Sequence, residues 1–141
     1  MNKVIEQGIE VLRSSTNIAV VGLSRYPGKA AHDIPVLLSG SQYNVVGVNP
    51  HAGPNISGLQ NVERIVDVEL EIDILNVFRP SADTDVIIDE ALERNELVGD
   101  VSCIWLQEGI RSKHGAEKCA EAGITYLEDA CIYVVYQYLR V

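Results

Sequence analysis

The amino-acid sequence predicts an α/β protein: a doubly wound domain built on a mainly parallel sheet of five strands. Short apolar runs rich in β-branched residues alternate with helical segments along the 141 residues. This alternation is typical of parallel strands joined by right-handed helical crossovers. The length is enough for one hydrophobic core. We therefore expect a single domain over residues 1–141, with the strand order 3-2-1-4-5.

The apolar spacing predicts each element in turn. The segment MNKVIEQGIEVLRSS, residues 1–15, places Ile5, Ile9 and Leu12 at helical spacing among glutamates, which indicates an amphipathic helix and not a signal peptide. The α/β core then covers residues 16–141. Its strands are expected at residues 17–22, 44–50, 72–78, 101–106 and 124–128. Its helices are expected at residues 32–39, 82–95, 112–122 and 131–139.

Composition excludes several classes of protein. The net charge of −9 disfavours nucleic acid, whose binding depends on neutralising phosphates. No apolar run approaches the roughly 20 residues of a membrane span. Cys103, Cys119 and Cys131 are odd in number and lack CxxC spacing, so neither a disulfide framework nor a zinc site is expected. A reducing cytoplasm is the expected location, and no metal is expected.

The loop after the first strand has the features of a phosphate site. Ligands of doubly wound sheets lie beyond the carboxyl ends of the strands, where the strand order reverses. In GLSRYPGK, residues 22–29, Gly22 permits a tight turn and Ser24 offers a hydroxyl and an N–H. The helix that follows presents free amides and a positive dipole end. Arg25 and Lys29 add positive charge.

Basic residues are concentrated at this predicted edge. Of 11 lysines and arginines, five fall in its loops: Arg25, Lys29, Arg79, Arg111 and Lys113. In an acidic chain this concentration indicates a bound polyanion. The alternative is that basic residues simply favour exposed loops.

Two common nucleotide motifs are absent. A GxGxxG loop followed by an acidic residue at the end of the second strand would indicate NAD, but Ser24 replaces the second glycine and the strand ends in Asn49 and Pro50. A Walker A loop needs serine or threonine after its lysine, and here Ala30 follows Lys29. Neither NAD nor ATP is the expected ligand.

Four motifs in order resemble a known family. They are GLS in the first loop, VNP after the second strand, FRP after the third and QEG after the fourth. Over roughly residues 15–135 the chain resembles the small stand-alone CoA-binding proteins, which are similar to the CoA-binding domain of the succinyl-CoA synthetase alpha subunit. The resemblance implies a Rossmann-like fold that holds CoA or an acyl-CoA above the first and fourth strands.

The resemblance also implies a role for each motif residue. Phosphate contacts would come from Gly22, Ser24, Arg25 and Lys29. Asn49 and Pro50 would flank the adenosine portion of the ligand. The middle of the site would be lined by Phe78, Arg79 and Pro80. The pantetheine arm would be faced by Gln107 and Glu108. The chain departs from the family in carrying Ala130 before Cys131, where arginine is usual. It also stops before the domain that carries the phosphorylated histidine in the synthetase.

The expected function is binding of CoA or an acyl-CoA without catalysis, because no nucleophile–base–orienter set is visible. His32, His51 and His114 lie in separate segments. One alternative is a thiol- or thioester-active enzyme or redox protein using Cys131, which would start the last helix, where the dipole favours a thiolate. Another is a CoA-binding subunit of a larger synthetase-like complex with a separate catalytic subunit. The apolar helix at 131–139 predicts a homo-oligomer, specifically a dimer.

Overall fold

A computed structural model describes residues 2–140 of the chain. The strands are β1 Asn17–Val21, β2 Asn44–Val48, β3 Asn55–Ile56, β4 Leu59–Val62, β5 Ile74–Val77, β6 Cys103–Leu106 and β7 Thr125–Leu127. The helices are α1 Lys3–Arg13, α2 Ala30–Ser39, α3 Ser81–Val98, α4 Lys113–Ala122 and α5 Ile132–Leu139, with a 3₁₀ turn at Ile65–Asp67. The predicted α/β class is confirmed.

The sheet differs from the prediction in size and order. Its order is β3-β4-β2-β1-β5-β6-β7, and all neighbours are parallel except β3 and β4. The prediction of five strands in the order 3-2-1-4-5 is therefore wrong as numbered, since it placed residues 72–78 at the edge. That segment forms β5, which lies beside β1. The position beside β2 that the prediction gave to this segment is occupied by β4. The strand order therefore reverses between β1 and β5, and not between residues 17–22 and 101–106 as the predicted order implied.

The two strands that were not predicted, β3 and β4, form a tight hairpin. Asn55 pairs with Gln60 across a two-residue turn of Ser57 and Gly58, whose φ angles are 49° and 86°. Positive φ at both central residues is the signature of a type I′ turn, whose twist matches that of the flanking strands. A strand of two residues carries too little hydrophobic alternation to be predicted from its own pattern.

Alternating side chains divide the core into two layers. Ile18 and Val20 face the layer covered by α1, α2 and α5, whereas Ala19 and Val21 face the layer covered by α3 and α4. Trp105 is fully buried in the first layer, and its Nε1 donates to the carbonyl of Ala130 at 2.8 Å. The two layers leave the carboxyl ends of the strands uncovered by helices, so a ligand can approach them.

Two of the three cysteines, Cys103 and Cys119, are buried in the core. Burial raises the pKa of Cys103 to about 12 and that of Cys119 to about 11, as is usual for thiols in apolar surroundings. Both thiols therefore act as small core side chains. Within residues 2–140 there is no helix with both the length and the apolar character needed to cross a membrane.

Candidate functional site

Gly22 directly follows β1 at the carboxyl edge of the sheet, where the strand order reverses. Its φ is +91°, and its amide donates to the carbonyl of Val48 at 2.9 Å. A Cβ there would lie 3.0 Å from Cδ of Arg79 and 3.2 Å from the carbonyl of Phe78. Glycine is thus required both by the left-handed backbone and by the close approach of the loop after β5. A ligand can lie against bare backbone here.

The loop from Gly22 to Lys29 leads directly into the first turn of α2. Ser24 donates its amide to the carbonyl of Ala31 at 3.0 Å, and its Oγ accepts from the amide of Tyr26 at 3.1 Å. The N–H that Ser24 was expected to offer a ligand instead holds the loop onto the helix. At the start of α2 the amides of His32 and Asp33 donate to the carbonyl of Lys29, so the backbone donors that remain there for an anion are the amides of Ala30 and Ala31.

Two cations gather around Tyr26, a residue that sequence reasoning did not select. The side chain is 53% exposed. The guanidinium carbon of Arg25 lies 5.1 Å from the ring centroid, and Nζ of Lys29 lies 5.6 Å from it. Arg25 also donates to the Tyr26 hydroxyl at 2.9 Å. The loop therefore presents an aromatic face with two positive charges beside it, a combination suited to a phosphorylated aromatic ligand.

Two cavities meet at the point between β1 and β5 where the strand order reverses, which we call the switch point. One has a volume of about 600 Å³ and extends towards α3, and the other has a volume of about 400 Å³ and lies over the first loop. Both volumes are within the usual range of ligand sites. The residues common to the two linings are Gly22, Asn49, His51 and Arg79.

The cavities gather most of the predicted site residues. Those that line at least one cavity are Gly22, Ser24, Arg25, Lys29, Asn49, Pro50, Phe78 and Arg79. Pro80, Gln107 and Glu108 line neither: Pro80 caps α3, and Glu108 is an exposed residue beyond β6. The larger cavity adds residues that the motifs did not indicate, namely Glu63, Arg64, Val86 and Glu90.

Asn49 holds two loops of the site together. Its Nδ2 donates to the carbonyl of Leu23 and its Oδ1 accepts from the amide of His51, both at 2.9 Å. Both ends of the amide are engaged, so the residue shapes the boundary between the cavities. His51 lines both cavities, a position that its place in the loop after β2 suggested.

Gln107 lies inside the protein, 6% exposed, and supports the start of α5. Its Oε1 accepts from the amide of Ile132 at 2.8 Å and from Nδ2 of Asn76 at 3.3 Å. This buried position differs from the expected contact with a pantetheine arm. Asn76 is fully buried, and its Oδ1 is without a hydrogen-bond partner among the described residues. An unpaired acceptor of this kind is costly in the interior.

The predicted cluster of five cations reduces to three at the cavities. Arg25, Lys29 and Arg79 line the cavity over the first loop, and Arg79 forms an exposed ion pair with Asp83 at 2.9 Å. The larger cavity adds Arg64 but also the carboxylates of Glu63, Asp83 and Glu90, so the positive charge is concentrated over the first loop. Lys113 begins α4 and lines neither cavity. Arg111 instead pairs with Glu128 at 3.0 Å and with Asp129 at 2.6 Å. Arg111 lines neither cavity, so it adds little to a polyanion site there.

Asp129 is held in an unusual conformation at the end of β7. Its φ is 54°. The Gly109 amide, which donates to Oδ1 at 2.7 Å, holds the pKa of this carboxyl below its usual value, with a further contribution from Arg111. These bonds fix the loop that leads into Cys131. Cys131 caps α5 and is half-buried, unlike the other two cysteines.

The structure also brings together groups that lie far apart in the sequence. His32 and Ser57 come from α2 and from the turn of the hairpin, with their side chains 2.8 Å apart. His114 pairs with Asp89 across α4 and α3, which raises the pKa of the imidazole. In the part of the chain that is described, no three acidic, histidine or cysteine side chains are grouped as a metal site requires.

Comparison with known proteins defines the family. Residues 16–137 match the family described as a CoA binding domain. The uncharacterized protein YneT of Bacillus subtilis (strain 168) is 32% identical over 127 residues, which cover 90% of each chain. The chain belongs to this family of CoA binding domains, and the predicted family resemblance is confirmed.

Solved structures share the fold. The structure of cell-free ID.343 from Thermus thermophilus has a TM-score of 0.86 at 31% identity, covering 99% of both chains. A hypothetical protein from Pyrococcus horikoshii OT3 has a TM-score of 0.87 at 22% identity, covering 97% of this chain and 92% of the other. At that lower identity the likeness concerns the fold alone.

Proposed function

We propose that the protein binds CoA or an acyl-CoA across the switch point between β1 and β5. The observation that carries the proposal is the meeting of the two cavities at Gly22, with Arg25, Lys29 and Arg79 on their walls. The phosphates lie against the first loop and the first turn of α2. Membership of a family described by CoA binding supports this choice of polyanion.

The residues present fit such a ligand. A side chain at Gly22 would fill the cradle between the first loop and the loop after β5. Tyr26 offers an exposed aromatic face for a base, and Pro50, Val86 and Ile87 give the larger cavity an apolar wall. Apolar walls with a few convergent polar groups are typical of cofactor sites. CoA supplies the thiol that carries an acyl group, and the residues of the site bind and orient it.

Calorimetric titration with CoA tests the proposal. We expect saturable binding of CoA, with NADH and ATP competing poorly because the chain has neither an acidic residue after β2 for the ribose nor a Walker lysine–serine pair. The absence of saturation at millimolar CoA would contradict the proposal. Displacement of CoA by an equal concentration of NADH would indicate a dinucleotide site instead.

A second candidate function uses Cys131. It lies at the same edge and is the cysteine that is not fully buried. Its thiolate can attack CoA disulfide, forming a sulfur–sulfur bond to one CoA and releasing the other as a thiolate. We expect intact mass spectrometry to show this adduct in wild type and in Cys119→Ala, but not in Cys131→Ala. Equal adduct formation in the Cys131→Ala variant would contradict a role for this thiol.

A further inference from the structure

Three side chains form a hydrogen-bonded series beside the first loop. Oγ of Ser57 lies 2.8 Å from Nε2 of His32, and Nδ1 of His32 lies 2.8 Å from Oδ1 of Asp33. No nucleophile–base–orienter set is visible in the sequence, where the serine and the histidine are 25 positions apart. The β3–β4 hairpin brings them together. A nucleophile within hydrogen-bond reach of a base that a third group orients is the arrangement of an activated serine.

The burial and charge of the series suit this chemistry. The His32 side chain is 9% exposed, whereas Ser57 is exposed on the hairpin turn. Hydrogen bonds from His32 and from the Gly28 amide lower the pKa of Asp33, so the carboxylate is ionised and can only accept. Nδ1 of His32 is therefore the donor to Asp33, which leaves Nε2 as the acceptor for the serine proton.

The backbone around the serine is also unusual. Ser57 has a φ of 49° in a turn where asparagine, aspartate or glycine is preferred. Such conformations are found where surrounding contacts or function require them. The next amide, that of Gly58, donates to Oδ1 of exposed Asn55 at 3.1 Å. The amide after a nucleophilic serine is a common oxyanion donor, and a bond to an exposed side chain is exchangeable for one to a substrate.

We propose that Ser57 and His32 form an acyl-transfer site that accepts small carboxylic esters or thioesters from solvent. Asp33 orients His32. This site adjoins the proposed phosphate site, because His32 and Asp33 belong to the first turn of α2, but none of its three side chains lines either cavity at the switch point. The inference goes beyond the proposed function and does not depend on it.

The step is an ordinary acyl transfer. Oγ of Ser57 bonds to the substrate carbonyl carbon while Nε2 of His32 takes the hydroxyl proton. The carbon–oxygen or carbon–sulfur bond to the leaving group then breaks, and His32 gives the proton to that group. Water hydrolyses the acyl-serine by the reverse sequence: His32 takes its proton, the carboxylic acid leaves, and Ser57 regains its hydroxyl.

Covalent labelling tests the proposal. The full chain is treated with an alkyl fluorophosphonate, and separately with p-nitrophenyl acetate, and the modified residue is located by peptide mass spectrometry. We expect at least one reagent to modify Ser57. The variant His32→Gln keeps an amide to hold the serine but has no base, so we expect labelling to slow by about 100-fold or more. Ser57→Ala should remove the label.

A matched control separates this chemistry from simple exposure. Ser41 is also an exposed serine, but its Oγ donates to a helix carbonyl, that of Leu37. Ser41→Ala should leave labelling unchanged. Circular dichroism establishes that each variant is folded. A CoA titration of Ser57→Ala tests the proposed CoA binding independently of the serine chemistry. If neither reagent modifies Ser57, or if folded His32→Gln is labelled as fast as wild type, the proposal is wrong.

Discussion

Arg25 and Lys29 are the residues through which the first loop attracts a polyanion. Both lie near the exposed ring of Tyr26, and neither is paired with a carboxylate among residues 2–140. Contacts between exposed charges and phosphates are screened by salt. The contribution of these two cations to binding should therefore fall as ionic strength rises.

Replacing Lys29 tests that statement. We expect Lys29→Ala to weaken CoA binding by about twofold to fivefold at low salt and to flatten the salt dependence, because an exposed charge pair contributes up to about 1 kcal/mol. Lys118→Ala is the control, since Lys118 lies on α4 in an exposed pair with Glu121. Calorimetry at two salt concentrations provides the measurement. If both Lys29→Ala and Arg25→Ala bind CoA with wild-type affinity, the phosphates do not lie at this loop.

A buried arginine has a structural role that the sequence did not reveal. Arg94 is 3% exposed and pairs with Asp100 at 2.9 Å. It also donates to the carbonyls of Ile65, Val68 and Leu70. An arginine in the apolar pattern of a helix looks like a surface residue, and only the fold shows that the segment before β5 wraps around it. Its donors satisfy carbonyls that would otherwise be unpaired.

Removing this arginine should be costly. Arg94→Leu leaves the Asp100 carboxylate buried without its cation, so we expect the free energy of unfolding to fall by about 3–5 kcal/mol. Arg13→Leu removes an exposed pair with Glu10 and should change it by less than about 1 kcal/mol. Urea unfolding followed by circular dichroism compares the two. Equal midpoints would show that the Arg94 network contributes no net stability.

At the scale of elements, α1 packs closely on the sheet because of one glycine. A Cβ on Gly8 would lie 2.7 Å from the Trp105 ring and 2.9 Å from Cγ1 of Val135. Gly8 therefore allows α1 to approach both β6 and α5. Glycine within a helix lowers its propensity to form. The structure gives Gly8 a packing reason.

The substitution Gly8→Ala should destabilise the protein despite the better helix propensity of alanine. The added methyl overlaps two buried side chains, and overpacking typically costs about 1–3 kcal/mol. Gln7→Ala is the neighbouring control on an exposed position and should be nearly neutral. Thermal unfolding measures both. A higher melting temperature for Gly8→Ala than for wild type would show that α1 moves away from Trp105 at little cost.

Strands β1, β2, β5, β6 and β7 and all five helices were predictable because their apolar runs have a clear period. The β3–β4 hairpin was not, although Ser57–Gly58 between Ile56 and Leu59 is a recognisable turn signal. Missing it displaced the third strand and hence the switch point. In the site, Gly22, Arg25 and Lys29 were predictable from one local motif. The inward position of Gln107 was not, because the residue that it supports, Ile132, is 25 residues away.

At the scale of the whole molecule, the outer face of α5 leaves two large apolar side chains exposed. Ile132, Val135 and Tyr136 are buried against the sheet and α1. Val134 and Tyr138 are 46% and 47% exposed. The proposal of a homodimer through this helix therefore rests on these two side chains and on the enrichment of tyrosine at interfaces.

Light scattering across micromolar concentrations tests the dimer. We expect twice the chain mass of 15.4 kDa for wild type, and the monomer mass for Tyr138→Glu because a carboxylate at the interface would lose its hydration. Glu10→Gln, an exposed change on α1, should leave the dimer intact. A monomer mass for wild type at all concentrations would contradict the proposal.

The central claim is that CoA lies over the first loop, between β1 and β5. Amide chemical shifts of ¹⁵N-labelled protein, followed during a CoA titration, test this directly. We expect the largest shifts at Gly22, Ala30 and Ala31, which adjoin the phosphate site, and little change at Gly99 and Gly123, which precede strands at the opposite edge of the sheet. Shifts confined to that opposite edge, or no saturable shifts at all, would contradict the account.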